Sequence, residues 1–295
     1  MKGPARLRQL LASDGLIMAP GVFDGISAKL AASRGFEVVY MTGAGACASR
    51  LGRPDVGLVT LTEMAEQAQN VSSASGLPVI ADADDGFGGV INVMRTVERF
   101  ERAGVAAIHI EDQQLPKRCG HLSGKAILPV AEMQAKIRAA VHARSDPDFV
   151  VIARTDALAV EGFDAALDRA RAYEQAGADM IFVESPLNME QVAAIPRAFS
   201  SPAVFNMASS GKTPFIGREE IAQLGYKVAI YPIFALLAAV KAMGSVYDTL
   251  RDEGTVAGIV DDIASFRDFF SLMGLAEVQE LERSFGVDEK RLAAF

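Results

Sequence analysis

The segment EDQQLPKRCGHLSGKAILP, residues 111 to 129, places a thiol and an imidazole among cationic side chains. Cys119 and His121 flank a glycine, and Lys117 and Arg118 come just before them. Positive neighbours favour the thiolate form of a cysteine, so this thiol should ionise more readily than an isolated one. We therefore expect Cys119 to act as an acid or base, or as a nucleophile, in a reaction at carbon.

Two other interpretations of this segment stay open. Zinc binding would need two further ligands at a plausible spacing from Cys119 and His121, which the sequence lacks. The second alternative is that the segment is a solvent-exposed basic loop and that its cysteine has no function. Cys47, the other cysteine, stands among small residues and is expected to be buried.

A group of carboxylates comes at the ends of short apolar runs. Asp82 and Asp84 end one run, and Glu111 ends the next. Residues two apart on a strand point to one face, so Asp82 and Asp84 should face the same way. Carboxylates that converge repel one another unless a cation shares them, and oxygen ligands of this kind suit Mg²⁺ or Mn²⁺. The alternative is that these aspartates only cap loops.

Other polar residues stand at similar positions. Arg154 lies two residues before Asp156, Glu184 ends a sixth apolar run, and Asn206 ends a seventh. An arginine here could hold a substrate carboxylate with two hydrogen bonds, or serve as a structural partner of the carboxylates. His109 lies in the middle of its run and is expected to be a hydrogen-bonded core histidine.

The apolar runs predict eight strands that alternate with helical patterns, which indicates a (β/α)₈ barrel. The runs are residues 16–20, 38–43, 78–84, 106–112, 149–156, 180–185, 203–208 and 228–233. A doubly wound sheet would show similar alternation, but no GxGxxG follows the first run. We expect one barrel domain over residues 1–295, with residues 255–295 as a C-terminal helical extension. Active sites of such barrels lie at the C-terminal strand ends, where these polar residues fall.

Composition excludes several classes of protein. The 295 residues carry 29 Lys and Arg against 37 Asp and Glu, a net charge of −8, which argues against general nucleic-acid binding. No apolar run is long enough for a membrane span, and the N-terminus has no apolar core of signal-peptide length. Two cysteines make no disulfide framework. We expect a cytoplasmic protein that binds a small molecule and neither nucleic acid nor membrane.

Several motifs together resemble the isocitrate lyase/phosphoenolpyruvate mutase superfamily. PKRCGH after HIEDQ carries the resemblance, and DADDGFG, ARTDA, FVES and the NM…GKTP pattern fall where other motifs of the superfamily would. The resemblance extends over about residues 5 to 255. It implies a Mg²⁺-dependent barrel enzyme, usually a homotetramer, whose last helix is exchanged between paired subunits. That exchange would account for the surplus C-terminal residues.

The resemblance also implies roles for individual residues. Asp84 would be the nearest metal ligand, with Asp82 and Glu111 acting through waters. Cys119 would be the catalytic thiol on a mobile lid that also carries Lys117. Tyr40 is a candidate base. Substrate oxygens would be bound by Thr42, Gly43, Ala44 and Arg154, near Asp55, and by Gly120, His121, Glu184 and Asn206.

The implied reaction is cleavage of a carbon–carbon bond in a 2-hydroxy dicarboxylate to give a 2-oxo acid and a carboxylic acid. Members that cleave methylisocitrate carry arginines where this chain has Leu122 and Leu237, which favours a substituted malate. Ser209 and Phe234 also depart from the common pattern. Oxaloacetate hydrolysis or decarboxylation and a phosphonomutase reaction are the alternatives within the superfamily. A non-catalytic binder of 2-oxo acids is the alternative outside it.

Overall fold

The computed structural model describes residues 2–120, 124–209 and 213–292, and this part of the chain forms eight parallel β-strands. The strands are β1 (Ile17–Val22), β2 (Val39–Met41), β3 (Val79–Asp82), β4 (Ala107–Glu111), β5 (Val150–Thr155), β6 (Met180–Val183), β7 (Val204–Asn206) and β8 (Val228–Tyr231). Each strand overlaps one of the eight predicted apolar runs, so the strand prediction is confirmed.

Helices precede, separate and follow the strands along the chain. They are α1 (Gly3–Ala12), α2 (Gly25–Ser33), α3 (Gly43–Leu51), α4 (Leu61–Ser75), α5 (Val90–Arg102), α6 (Val130–Ala143), α7 (Leu158–Glu161), α8 (Phe163–Gln175), α9 (Met189–Ala194), α10 (Arg218–Leu224), α11 (Phe234–Glu253), α12 (Phe266–Met273) and α13 (Leu275–Ser284). The apolar faces of α5 and α8 pack on the sheet, as their helical periodicity predicted.

The strands form a nearly closed barrel. Hydrogen bonding links them in the order β6-β5-β4-β3-β2-β1-β8-β7, and all of these pairs are parallel. A single parallel bridge between Ile181 and Ala203 joins the two outer strands. The order and direction of the strands confirm the predicted (β/α)₈ fold.

The interior of the barrel is apolar towards one end. Strand residues such as Ile17 and Ala19 point inward and pack in one cluster with Leu7 of α1. Arg8, the next residue of α1, donates to the carbonyl oxygens of Asp148 and Phe149, just before β5 begins. Helix α1 therefore covers the N-terminal ends of the strands. The polar strand-end residues are left at the opposite end.

The chain divides into two compact units, residues 1–236 and 237–295. The boundary falls inside α11, whereas the sequence placed the start of the helical extension at residue 255. The second unit contains the rest of α11 together with α12 and α13. Across the described ranges, no helix combines the length and the apolar character needed to cross a bilayer.

Candidate active site

A cavity of about 190 Å³ opens at the C-terminal ends of the strands. A protein cavity of about 150 Å³ holds a ligand of the size of benzene, so this cavity suits a small-molecule ligand. Its lining is Tyr40, Thr42, Ala44, Asp55, Asp82, Glu111, Lys117, Cys119, Gly120, Arg154, Glu184, Asn206, Ala208, Ser209, Pro232 and Ile233. Of the predicted site residues, Gly43 and Asp84 do not line the cavity but contact the lining residues Asp82 and Lys117, respectively. His121 lies outside the described residues.

The two aspartates of the DxD motif lie in different backbone conformations. Strand β3 ends at Asp82, and Asp84 follows with a left-handed φ of 48°. The Asp84 amide donates to Asp82 Oδ1 at 2.9 Å, so the first carboxylate pulls the chain out of its extended path. The expectation that both aspartates lie on one extended strand was wrong for this reason. Asp82 Oδ2 accepts from the Gly43 amide at 3.2 Å.

A buried lysine fixes the turn that carries Asp84. Lys136 of α6 donates through Nζ to the Asp85 carbonyl oxygen at 2.7 Å and lies 3.1 Å from Asp85 Oδ2. Asp85 Oδ1 in turn accepts from the amide of Phe87, which has a φ of 59°. The sequence analysis missed this pair. A lysine among the apolar positions of EMQAKIRAAV was the available signal.

Lys117 pairs with two aspartates. Its Nζ lies 2.5 Å from Asp84 Oδ1 and 2.6 Å from Asp55 Oδ1, and its side chain is 2% exposed. Burial by itself would lower the pKa of Lys117, but Asp84 and Glu111, together with other carboxylates, raise it well above its usual value. The ammonium therefore keeps its charge inside the site.

Negative charge nevertheless exceeds positive charge around the cavity. Burial raises the pKa of Asp84 to about 7 against the opposing effect of the Lys117 ammonium, and the neighbouring carboxylates of Asp82 and Asp55 add to the rise. Burial also raises the pKa of Glu111 well above its usual value, against the opposing effect of Arg154. The raised pKa of Lys117 favours a charged ion pair between Lys117 and Asp84, whereas the raised pKa of Asp84 opposes it. The lysine stays charged, because several carboxylates share its single charge.

The donor set fits a hard divalent cation. Asp82, Asp84 and Glu111 offer only oxygen atoms, and Glu111 Oε1 is buried with no hydrogen-bond partner. Within residues 2–120, 124–209 and 213–292, however, no three carboxylate, imidazole or thiol groups converge into a ready-made metal centre. A cation that keeps several waters, as Mg²⁺ does, needs no such direct cage and can reach Asp82 and Glu111 through water.

Arg154 is the centre of a second buried ion network. Its Nε and Nη2 donate to the two carboxylate oxygens of Asp156 at 2.9 and 3.2 Å. Nη1 lies 3.4 Å from Glu111 Oε2, and Nη2 lies 3.6 Å from Glu184 Oε2. Burial would lower the pKa of Arg154, but Asp156, Glu111 and Glu184 raise it well above its usual value. The guanidinium is therefore held in one orientation with its charge intact.

Tyr40 and His109 form a buried hydrogen-bonded pair. The Tyr40 hydroxyl and His109 Nε2 share a hydrogen bond of 2.8 Å, and the rings stack. Burial and the Asp82 carboxylate raise the pKa of Tyr40 well above its usual value. Burial lowers the pKa of His109 to about 4, although Asp82 opposes this shift. The predicted core position of His109 is confirmed, and its contact with Tyr40 is a feature that the sequence did not show.

The N-terminus of α3 lies at the cavity wall. Thr42 is its N-cap residue, and Thr42 Oγ1 accepts from the Gly45 amide at 3.4 Å. A β-carbon at Gly43 would lie 2.5 Å from Asp82 Oδ2, so glycine is required at this approach. The Gly43 amide is already bonded to Asp82. Thr42 and Ala44 therefore present the helix N-terminus, which favours anions, to the cavity.

The predicted lid segment is the loop after β4, residues 112 to about 130, and among its described residues Lys117, Cys119 and Gly120 line the cavity. Its base is an antiparallel bridge between Gln113 and Ile127, and the Gln113 side chain bonds both the amide and the carbonyl oxygen of Arg118. The Cys119 amide donates to the Asp55 carbonyl oxygen at 3.2 Å, and Cys119 is half-buried at the lining. The predicted lid segment thus carries both Lys117 and the thiol to the cavity. Cys47 is buried, as predicted.

Glu184 contacts Arg154 and is also hydrogen-bonded to Asn206. The Asn206 amide nitrogen lies 3.2 and 3.1 Å from the two Glu184 carboxylate oxygens, and Ser185 Oγ donates to Glu184 Oε1 at 2.7 Å. A carboxylate cannot itself attract an anionic substrate group. Glu184 therefore orients Arg154 and Asn206. Asn206 Oδ1 is buried with no hydrogen-bond partner.

Comparison with known proteins assigns a family. The phosphoenolpyruvate phosphomutase family model matches residues 7–251. The chain is 46% identical to a 2,3-dimethylmalate lyase of Eubacterium barkeri, covering 97% of this chain and 99% of the relative. It is 41% identical to a 2-methylisocitrate lyase of Aeropyrum pernix, covering 98% and 92% respectively.

Solved structures agree with this assignment. An oxaloacetate acetylhydrolase in complex with the inhibitor 3,3-difluorooxalacetate superposes with a TM-score of 0.93, at 41% identity and 98% coverage of each chain. A phosphonopyruvate hydrolase in complex with oxalate and Mg²⁺ superposes with a TM-score of 0.87, at 32% identity, covering 96% of this chain and 99% of that one. The chain belongs to the isocitrate lyase/phosphoenolpyruvate mutase superfamily of metal-dependent enzymes, and its curated relatives named above are lyases.

Proposed function

We propose that this protein is a Mg²⁺-dependent carbon–carbon lyase that cleaves a substituted malate into a 2-oxo acid and a carboxylic acid. One observation carries the proposal: the Cys119 thiol lines the same cavity as the carboxylates of Asp82 and Glu111. A cation site and a proton donor at one cavity are what cleavage next to a carboxylate needs. Mn²⁺ is the alternative metal.

The residues divide the chemistry between them. When bound, Mg²⁺ would polarise the carboxylate and hydroxyl oxygens of the substrate, with Asp84 nearest and Asp82 and Glu111 reached through water. Arg154 and the N-terminus of α3 would hold the substrate carboxylate. His121 belongs to the same substrate-binding set by its motif.

The reaction itself moves one proton off oxygen and one onto carbon. A base removes the proton of the C2 hydroxyl, the C2–O bond becomes a carbonyl, and the C2–C3 bond breaks. The electron pair stays on C3, next to its carboxylate, and Cys119 donates the sulfhydryl proton to that carbon. Tyr40 is our candidate base. Because its pKa is raised, Tyr40 would have to lose its proton before it could act as the base, and additional positive charge nearby would favour that loss.

The far wall of the cavity supports a substrate with apolar substituents. We define this wall as Ala208, Ser209, Pro232 and Ile233, which follow β7 and β8. It carries no charged side chain. Among the described lining residues the cations are Lys117 and Arg154, and carboxylates already engage both. A third substrate carboxylate would find no free cationic partner among the described lining residues, which favours an alkyl-substituted malate over a tricarboxylate.

A substrate panel tests the proposal. Purified protein with Mg²⁺ is assayed against malate, 2- and 3-methylmalate, 2,3-dimethylmalate, methylisocitrate and oxaloacetate, with the 2-oxo acid product trapped. We expect turnover of an alkyl-substituted malate. Oxaloacetate turnover alone would favour hydrolysis, which the similarity to oxaloacetate acetylhydrolase makes the second candidate. Mg²⁺-dependent binding of oxalate with no turnover in the panel would favour a non-catalytic binder.

We also propose that the protein is a cytoplasmic homotetramer whose C-terminal helices are exchanged between subunits. The unit of residues 237–295 exposes large apolar side chains, among them Tyr247 at 66%, Phe266 at 67% and Phe285 at 79%. A second copy of the chain would cover such a surface. Light scattering on the full chain at micromolar concentration should give the tetramer mass. A monomer at that concentration would contradict the proposal.

A further inference from the structure

Lys125 joins the lid segment to the barrel wall. Its Nζ donates to the Gly120 carbonyl oxygen and to Asp156 Oδ1, the latter at 2.8 Å. The Lys125 side chain is 2% exposed and that of Asp156 is fully buried. A buried lysine ammonium needs acceptors, and here one acceptor belongs to the lid and the other to the barrel.

Asp156 is fixed at the end of β5 from several sides. Its amide donates to Asp112 Oδ1 at 2.9 Å. Asp112 Oδ2 accepts from Thr155 Oγ1 at 2.7 Å and from the Tyr173 hydroxyl at 2.8 Å. These bonds anchor Asp156 to the barrel wall. The same carboxylate receives both Arg154 and Lys125, so the positions of these two cations are linked.

Gly120 shows why this link matters. A β-carbon at position 120 would overlap Arg154 Nη2 and lie 2.9 Å from Glu184 Cγ. The lid backbone therefore packs directly on the guanidinium and on the residue that orients it. Gly120 thus packs against Arg154 in the orientation that its two hydrogen bonds to Asp156 give it.

We propose that Lys125 is a positioning residue that latches the lid segment over the cavity and couples its closure to the orientation of Arg154. Lys125 does not line the cavity. It acts through two other groups: it holds the Gly120 carbonyl in place, and it neutralises Asp156, which Arg154 also engages. The proposal deepens the proposed function, because a closed lid shields the reacting carbon from water.

Alkylation of Cys119 tests the latch without any substrate. Iodoacetamide is added to the full-length protein, and modification of Cys119 and of the buried Cys47 is followed by peptide mass spectrometry. Losing a charge-assisted hydrogen bond should lower the equilibrium constant for lid closure roughly tenfold. Iodoacetamide should therefore modify Cys119 about tenfold faster in Lys125→Met than in the parent. Lys125→Arg should react nearly as the parent does, because it restores the charge and the donors.

The control is Lys29→Met, which removes a half-buried lysine from α2 and should leave the Cys119 rate unchanged. A parental rate in Lys125→Met, or an equal increase in Lys29→Met, would overturn the latch. Faster reaction of Cys47 as well as Cys119 would show general loosening and would also overturn it. Lys125→Gln, which keeps a donor without the charge, is measured in parallel in case Lys125→Met does not fold.

Kinetics provide the second measurement, and this one rests on the proposed function. With the substrate found in the panel, Lys125→Met should lose at least about tenfold in kcat with little change in KM, since the substrate binds before the lid closes. Lys125→Arg should recover most of the loss. An unchanged kcat would contradict the coupling. If no substrate is turned over, the proposed function fails, whereas the alkylation rates still decide the latch.

Discussion

Lys117 Nζ lies 2.5 Å from Asp84 Oδ1, so the lid lysine contacts the carboxylate that is proposed to be nearest to the metal. The ammonium and a divalent cation therefore compete for one oxygen atom. In Lys117→Met this competition is gone. We expect Mn²⁺ affinity, measured by calorimetry or electron paramagnetic resonance, to be equal or higher, while turnover falls by at least about 100-fold. Weaker Mn²⁺ binding in the variant would show that Lys117 supports the metal instead.

Replacing the lid thiol separates proton donation from binding. Cys119→Ser should lower turnover by about 10²- to 10⁴-fold, because a hydroxyl is a far weaker acid than a thiol in the same place. Oxalate binding in the presence of Mg²⁺, measured by calorimetry, should be retained. Cys47→Ser is the matched control and should keep full turnover if it folds. Parental activity of Cys119→Ser would exclude the thiol as the proton donor.

Metal binding should stabilise the protein through Asp84. A ligand present at 100 times its dissociation constant adds about 2.7 kcal/mol to the free energy of unfolding. Thermal unfolding of the parent should therefore shift upwards with Mg²⁺, and EDTA should abolish turnover. Asp84→Asn keeps the shape of the side chain but removes the charge that attracts the cation. An equal Mg²⁺-dependent shift in this variant would contradict the assignment of Asp84.

The Lys136–Asp85 pair should matter for metal affinity as well as stability. Lys136→Met leaves a buried carboxylate without its partner, which typically costs about 3–5 kcal/mol of folding free energy. The left-handed turn at Asp84 then loses its support, and Mn²⁺ affinity should fall by about 10- to 100-fold. Lys136→Arg should recover much of the folding free energy and much of the Mn²⁺ affinity. If unfolding shifts while Mn²⁺ affinity stays constant, the pair does not position Asp84.

The buried imidazole predicts acid sensitivity. The pKa of His109 is lowered to about 4, so below its ordinary value of 6.5 the unfolded chain binds a proton that the folded chain does not. The contribution of His109 to the free energy of unfolding should therefore fall by about 3 kcal/mol as pH decreases from 6.5 to 4. Asp84, whose pKa is raised to about 7, contributes in the opposite direction over this range, so the His109 effect is the difference between the parent and His109→Gln. Asp82, with a pKa lowered to about 2, loses its stabilising contribution only below this window.

Urea unfolding at pH 7.0 to 4.5, in EDTA, measures this effect. His109→Gln should lower the slope of the free energy of unfolding against pH by the equivalent of up to one proton. His142→Gln, which replaces an exposed histidine of α6, should leave this slope unchanged. An identical slope in the parent and in His109→Gln would show that folding does not lower the pKa of His109, which would contradict the prediction.

The charged and amide residues at the strand ends of the cavity could be predicted because strand ends are visible in the sequence. Apolar runs with β-branched residues mark the strands, and in parallel barrels the residues that end them meet at one face. Glu111, Arg154 and Asn206 were found in this way. Thr42, Ala44 and Gly120 depended on the resemblance to the superfamily, because nothing in their spacing indicates a ligand.

The sequence by itself determined the eight-stranded barrel and the strand-end positions, since both follow from patterns within a few residues. The tertiary structure decided which buried charged side chains pair with one another. Lys136 meets Asp85 across 51 positions, and Lys125 meets Asp156 across 31. It also decided that Asp84 leaves the strand, because the Asp82 carboxylate captures its amide. Such choices depend on which acceptors remain unsatisfied once the barrel has closed, and a local pattern carries no record of that.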